Sequence, residues 1–480
     1  RSLARSLARA PSSPFRGPGI HSMSSSAPSP SPLAPGERTA STTIETRSRD
    51  GWSEIVVELP PAPLDTKQAP FVMHTLTTRV PSILERTVGY NKGKLTGRQV
   101  DAIRQLAKEM KEDARLRLIA DGAADQDEWN SVLKPHVDKG MRWSEAPWFV
   151  WETYVYRRML EATDYWKTGN RFDYFAAEKL SGLENTKSQV QIFTKQMSKM
   201  DSQWNYTSFR TLVLADLWGN KADMSLFTAK ELKNKTTDDL SDKLLCDDVK
   251  DVFQILERGA VNPRKGRRVV FFNDNSGLEI FSDLLLAFYL IRSKQVRTVE
   301  FKLKPFPFFV SDAMPEDIKT TVNFLKNLPD TESKMFGKAI EQLIEGEKII
   351  LSTEPFLASP HPTWKMPQML RSELQKSADL IIVKGDLMYR KLLGDYQHPW
   401  DTKFADFMSY APCPLVSLRT CKAPLLIGLK DKAQGINAQK KDKDFLINGK
   451  YGVIQLVDPP SRKSVVSYSE DTFTVKFQKD

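Results

Sequence analysis

The sequence predicts an α/β protein: a Rossmann-like αβα sandwich with a largely parallel sheet, preceded by an N-terminal helical domain. Three observations carry that expectation. From Thr78 to about Leu245 apolar residues recur at helical spacing. After Arg258, short apolar runs of strand length alternate with helical stretches, as in βαβ units. The longest strongly apolar stretch, Leu284 to Ile291, is far too short for a bilayer span, so no transmembrane helix is expected.

Residues 1 to 68 are rich in Ser, Pro and Arg and read as a disordered lead-in with one short strand at Glu54–Leu59. Residues 1 to 36 hold no acidic residue, which resembles a transit peptide. Prolines at 11, 14 and 18 would break a targeting helix, so a non-native leader with Met23 as the start is favoured, and a cytoplasmic location, with the nucleus second, is expected. Residues 69–250 form the helical domain. Within it Thr96 to Leu118 places Val100, Ile103, Leu106 and Met110 on one stripe, and Thr96 with Gln99 has capping-box spacing. Pro147 to Thr163 places Trp148, Trp151, Val155 and Met159 on another, which reads as core packing rather than a stacking platform.

Residues 251–465 form the α/β domain. Its expected strands are Arg268–Phe272, Arg297–Leu303, Lys348–Ser352, Asp379–Val383, Pro414–Leu418 and Lys450–Val457. Helices are expected at Gly277–Ile291, Pro315–Leu328 and Glu332–Glu345. Residues 466–480 are left as a C-terminal tail. No internal repeat is evident.

Composition narrows the function. Of 480 residues, 40% are hydrophobic and 27% charged, ordinary values for a folded protein. The three cysteines, Cys246, Cys413 and Cys421, form no CxxC pair, and the five histidines are scattered. A zinc cage and a disulfide framework are thereby disfavoured, and any bound metal should have oxygen ligands. The net charge is +10, with the one compact basic cluster at Arg264-Lys265-Gly266-Arg267-Arg268. That cluster lacks interleaved aromatics, so the charge suits an enzyme with an anionic substrate as well as a nucleic-acid protein.

Ligands bind at the carboxyl ends of strands in open α/β sheets, so the residues just past each expected strand matter most. The first strand leads into Asn273-Asp274-Asn275-Ser276-Gly277, and the second into a Pro-rich turn and then Phe309-Val310-Ser311-Asp312. Asp379–Val383 runs into Lys384-Gly385-Asp386, and Pro414–Leu418 into Arg419-Thr420-Cys421-Lys422. Carboxylate and amide oxygens are hard ligands for magnesium or manganese, lysine and arginine neutralise phosphate, and a helix N-terminus at Gly277 favours an anion. Together these point to phosphoryl chemistry. Singly, each has an ordinary alternative. Asp-Asn-Ser-Gly is turn chemistry, Ser276 with Glu279 fits a capping box, Asp312 suits an N-cap, Lys422 suits a solvated surface, and Arg419 suits a structural ion pair.

These motifs, with Glu145-Ala146-Pro147-Trp148, Tyr156-Arg157-Arg158 and Gly449-Lys450-Tyr451-Gly452-Val453, resemble the damage-control phosphatases over roughly residues 70 to 460. The Arg-Thr-x-Lys signature is that of subfamily III, also called acidic residue methyltransferases. The resemblance implies that Asp274, Asn275 and Asp312 hold a divalent metal (Mn, Ni, Co or Mg) and touch the substrate. It also implies that Lys384, Gly385, Asp386, Leu387 and Met388 form a loop on the leaving group, and that Lys422, beside Arg419, binds phosphate. Catalysis would then rest on Asp274, Asp312 and Lys422, with Asp386 an acid, a base or an orienting group. Substrates would be small phosphorylated metabolites such as fructose 1-phosphate and fructose 6-phosphate, with no nucleic acid or membrane partner. Glu279 matches a position linked to S-adenosylmethionine, but a capping role is preferred here. Met388 stands where the family usually has asparagine, which leaves substrate preference open. A protein-carboxylate methyltransferase should show a glycine-rich cofactor loop after an early strand, and none is present. A haloacid-dehalogenase-type phosphatase needs Asp-x-Asp after a strand, which Asp274-Asn275-Ser276 does not supply. A nucleic-acid or scaffold protein is the remaining alternative.

Overall fold

The computed structural model describes residues 42–49, 51–60, 70–167, 169–219 and 243–478. The leader expectation for residues 1–36 and the start at Met23 lie outside these. Among the described residues no helix is long and apolar enough to cross a membrane.

The chain opens with a hairpin, β1 (Thr43–Arg49) and β2 (Trp52–Glu58). Helices follow from Pro70 to Trp218. Thr96 caps the Gly97–Lys111 helix through the expected box: Gln99 N donates to Thr96 Oγ1 (3.3 Å) and Thr96 N to Gln99 Oε1 (2.9 Å). That helix stops seven residues before the expected Leu118, because Asp113 turns left-handed (φ 50°). On the Trp148–Ala162 helix, Trp148, Trp151, Val155 and Met159 are all buried, as core residues should be.

A seven-stranded sheet then forms from β3 (Leu244–Asp247), β4 (Arg268–Phe272), β5 (Thr298–Leu303), β6 (Ile349–Thr353), β7 (Leu380–Lys384), β8 (Leu415–Thr420) and β9 (Gly452–Val457). Its order is β3-β9-β8-β7-β4-β5-β6, parallel except where β9 runs against β8. β3 was not expected, since Leu244–Asp247 is too short to break the helical reading that ran to Leu245. Strands β4, β7 and β8 are near-continuous apolar runs because both faces are covered. Alternate residues feed two cores. Val270, Phe272, Ile381 and Val383 join helices from the first part of the chain, including Leu106 and Trp151. Val269, Phe271, Phe301 and Ile382 join Leu284, Leu325 and, from the Tyr206–Trp218 helix, Leu212. Helices between residues 70 and 218 therefore pack on both faces of the sheet.

The residues after 465, expected as a tail, form β10 (Val465–Tyr468) and β11 (Thr472–Gln478). β11 pairs antiparallel with β2, making a four-stranded sheet of order β1-β2-β11-β10. Phe473, Val475 and Phe477 alternate into the core and hold it in place.

The chain leaves β4 toward β5 and β6 on one side, then returns to β7 and β8 on the other. The crevice at the carboxyl ends of β4 and β7 is thus the switch point where ligands bind in such sheets.

Candidate active site

The loop after β4 and the loop after β5 are stitched together by an isolated antiparallel bridge between Asn275 and Asp312. Ser276 N donates to the Ser311 carbonyl (2.7 Å) and Ala313 N to the Asp274 carbonyl (2.7 Å). Reaching that register forces Phe309 and Val310 into left-handed backbone (φ 44° and 64°), a strained conformation for a β-branched valine. Asp274 and Asp312, far apart in sequence, are thereby brought to one point.

Both carboxylates are buried, at 5% and 2% exposure, and face Lys304, which is fully buried. Lys304 Nζ donates to the Asn273 carbonyl (2.8 Å) and lies 3.1 Å from Asp312 Oδ2 and 3.9 Å from Asp274 Oδ1. Asn275 Nδ2 donates to Asp274 Oδ2 and to Glu279 Oε2, both at 2.8 Å, while Ser311 Oγ donates to Asn275 Oδ1 (2.5 Å). Burial, then the charges of Asp312 and Glu279, push Asp274 well above the usual carboxylate range. Burial raises Asp312 and Glu279 as well.

Two alternatives from the sequence fall here. The cap of the Leu278–Arg292 helix is Gly277 (φ 70°), one residue later than a Ser276 cap requires, and Glu279 bonds Asn275 instead of closing a capping box. The Pro315–Asn327 helix is capped at Met314, whose N–H is accepted by Asp317 (2.8 Å), so the Asp312 carboxylate is not a cap.

Gly385 follows β7 with φ 82°, and a Cβ there would stand 1.8 Å from Asp274 Oδ2. The residue must be glycine for Asp274 to lie against the β7 end. The rest of its segment is not the loop that was expected. It is a helix, Gly385–Leu393, whose period turns Met388 fully into the core and leaves Leu387 buried. The Met388 side chain therefore packs in the core rather than lining the cleft.

Lys384, also expected on the substrate, points under the site. Its Nζ donates to Asp216 Oδ1 (2.6 Å) and lies 3.1 Å from Asp283 Oδ1 and 4.0 Å from Glu279 Oε1. Burial opposes its charge, but those carboxylates prevail and hold it protonated. Arg419 takes its structural alternative. Its Nε donates to Asp386 Oδ1 (2.7 Å), its Nη1 and Nη2 to the carbonyls of Leu425 and Ala423 (2.5 and 2.8 Å), and none of it is exposed. Asp386 also accepts from the Lys422 backbone N–H (3.0 Å), which fixes the exposed Lys422 near enough to pull down Asp274 and Glu279 electrostatically.

Sequence reasoning missed Lys304, Asp216, Asp283 and Lys179, whose Nζ donates to the Asp312 carbonyl (2.7 Å). Lys304 stands directly after β5, so reading one residue past that strand would have found it. Asp216 and Lys179 arrive from helices, where no local pattern marks them.

Carboxylate and amide oxygens are the ligand types a divalent cation prefers. Asp216, Asp274, Glu279, Asp283 and Asp312 are buried, and the only fully buried lysines among them are Lys304 and Lys384. Burial on that scale raises Asp274, Glu279, Asp283 and Asp312 above the usual carboxylate range. No group of three or more His, Cys, Asp or Glu is placed to hold a metal among the described residues. The available ligands are thus two carboxylates, Asp274 and Asp312, and the Asn275 amide oxygen, whose second lone pair is open.

The sequence profile of the damage-control phosphatase ARMT1-like domain matches residues 75–437. The chain belongs to this family. It is 28% identical over 450 residues to damage-control phosphatase ARMT1 of Danio rerio, covering 84% of this chain and 98% of that protein. Against the Homo sapiens ARMT1 the identity is 28% over 427 residues, with 81% and 96% covered. The Bos taurus ARMT1 is 30% identical over 384 residues, with 75% and 87% covered. A solved DUF89 family protein from Pyrococcus horikoshii aligns over 74% of this chain and 96% of its own at 16% identity and TM-score 0.40, too distant to add to the argument. As an ARMT1-like damage-control phosphatase, the chain is a metabolite-repair phosphatase.

Proposed function

We propose that the chain is a metal-dependent phosphomonoesterase for small phosphorylated metabolites, with reactive sugar phosphates such as fructose 1-phosphate and fructose 6-phosphate as substrates. The observation that carries this reading is the clamp of the β4 and β5 loops, which gathers Asp274, Asn275 and Asp312 beside a helix N-terminus and Lys422.

Asp274, Asn275 and Asp312 would hold the cation, which supplies charge neutralisation on the phosphoryl oxygens. The N–H groups that open the Leu278–Arg292 helix orient the phosphate, and the exposed Lys422 adds a positive contact. Lys304 keeps the two carboxylates from repelling each other apart. Asp386 serves as an orienting group through Arg419 and the Lys422 backbone, rather than as an acid or base. The attacking oxygen comes from water or from Asp274, and only the second route leaves an acid-stable aspartyl phosphate.

The test is release of inorganic phosphate from a sugar-phosphate panel with and without Mn, Ni, Co or Mg. Turnover should require the metal and stop with EDTA. Turnover that survives EDTA would remove the metal role. Activity confined to phosphoesters other than sugar phosphates would remove the substrate class.

A further inference from the structure

The N-terminus of the Leu278–Arg292 helix opens into a cleft of about 670 Å³, within the roughly 300–1,000 Å³ of small-molecule sites. One wall is Asn275 to Leu278 with the left-handed turn at Phe309 and Val310. Tyr156, stacked on Phe309 at 4.6 Å, adds an aromatic face. The lining also includes residues of a π-helical turn, Thr75–Arg79, closed by the Val80 N–H on the Thr75 carbonyl. Such turns are rare and recur where a side chain has to be aimed at a ligand. Two backbone irregularities thus line the same space.

The charges lining the cleft are mostly occupied. Arg86 pairs with Glu178 (2.8 Å), and Glu152 with Arg390 (2.6 Å). Lys179 pairs with Asp173 and Asp317 (2.8 Å each). Arg79, the last residue of the π turn, is exposed and has no direct ion pair among the described residues, its charge being felt only at a distance by the buried Glu152, which Arg390 already pairs. An exposed guanidinium with no direct ion pair, lining a cleft, is a ready bidentate partner for a carboxylate or phosphate.

We propose that Arg79 is a specificity-determining residue, selecting phosphate esters whose alcohol portion carries a second anionic group. The inference rests on the phosphatase reading. The reacting phosphate sits toward Asn275–Leu278, and the second anion reaches Arg79 within the same cleft.

The test is calorimetric binding to metal-stripped protein, with fructose 1,6-bisphosphate and fructose 1-phosphate as probes. Wild type should bind the bisphosphate more tightly. Arg79→Gln should weaken bisphosphate binding about tenfold or more and the monophosphate by less than about threefold, with Arg79→Lys recovering part of the loss. Equal losses for both probes, no loss, or a wild type without preference for the bisphosphate would each overturn the proposal. Turnover of both probes in the metal-loaded enzyme is followed in parallel. Its absence would sink the sugar-phosphate reading, while the binding selectivity still decides the role of Arg79.

Discussion

The carboxyl ends of β8 and β4 use buried charge in opposite ways. At the β8 end, Arg419 has a partner for each guanidinium nitrogen, and its ring neighbour Tyr389 lies 4.1 Å below. At the β4 end, Asp274 and Asp312 share one lysine, and burial, then the Asp312 charge, raises the cost of ionising Asp274. The first network is closed by its own partners, while the second leaves carboxylates whose ionisation burial opposes. Glu300 on β5 sharpens the contrast. Burial works against its charge too, yet the Ser352 hydroxyl and the Arg268 guanidinium hold it down at about 2.

The largest expected effect comes from opening the wrong end. Asp274→Ala and Asp312→Ala should each cut phosphate release at least about a hundredfold without lowering the denaturation midpoint of the metal-free protein. Arg419→Leu should do the reverse first, costing about 3 kcal/mol of stability in urea unfolding by stranding Asp386. Similar unfolding midpoints for the Arg419 and Asp274 variants would erase the distinction.

Next is Gly385→Ala, whose new methyl would collide with Asp274 at the β7 end. Turnover should fall about tenfold or more while circular dichroism stays native.

The pH dependence of stability separates the two ends by sign. The Glu300 pKa is depressed, so its stabilisation is present above its ordinary value near 4.5 and is lost as pH falls toward about 2. That of Asp274 is raised, so its contribution is fully present below its ordinary value near 3.8 and is lost as pH rises through the raised value. In metal-free protein Asp274→Asn should therefore raise the melting temperature at neutral pH. Glu300→Gln should lower it there and have little effect near pH 2. Shifts of the same direction would contradict this assignment. Smallest of all, Met388→Leu should leave the ratio of rates among sugar phosphates unchanged, since the side chain is sealed in the core.

Much of the sheet was legible because buried parallel strands are written as apolar runs. β4 matches its expected bounds, and β5 to β9 fall within a residue or two of theirs. The Asp274, Asn275 and Asp312 convergence was legible too, because polar residues at the carboxyl ends of neighbouring parallel strands must share one sheet edge. Side-chain direction was not. Treating Lys384–Met388 as a loop concealed the helical period that sends Met388 inward, and nothing in the Arg-Thr-x-Lys spacing shows that Arg419 faces Asp386. The alternation of Phe473, Val475 and Phe477 was present in the sequence, but a seven-residue strand at that position finds its partner only in β2, which local pattern does not reveal.

That pairing has a consequence for biogenesis. β2 emerges from the ribosome early, with its hydrogen-bonding edge and Val57 lacking the partner that β11 provides much later. The nascent chain must carry an unsatisfied strand until β11 has been made, so truncations that remove Thr472–Gln478 should yield aggregation-prone product even when every residue near the phosphate is intact.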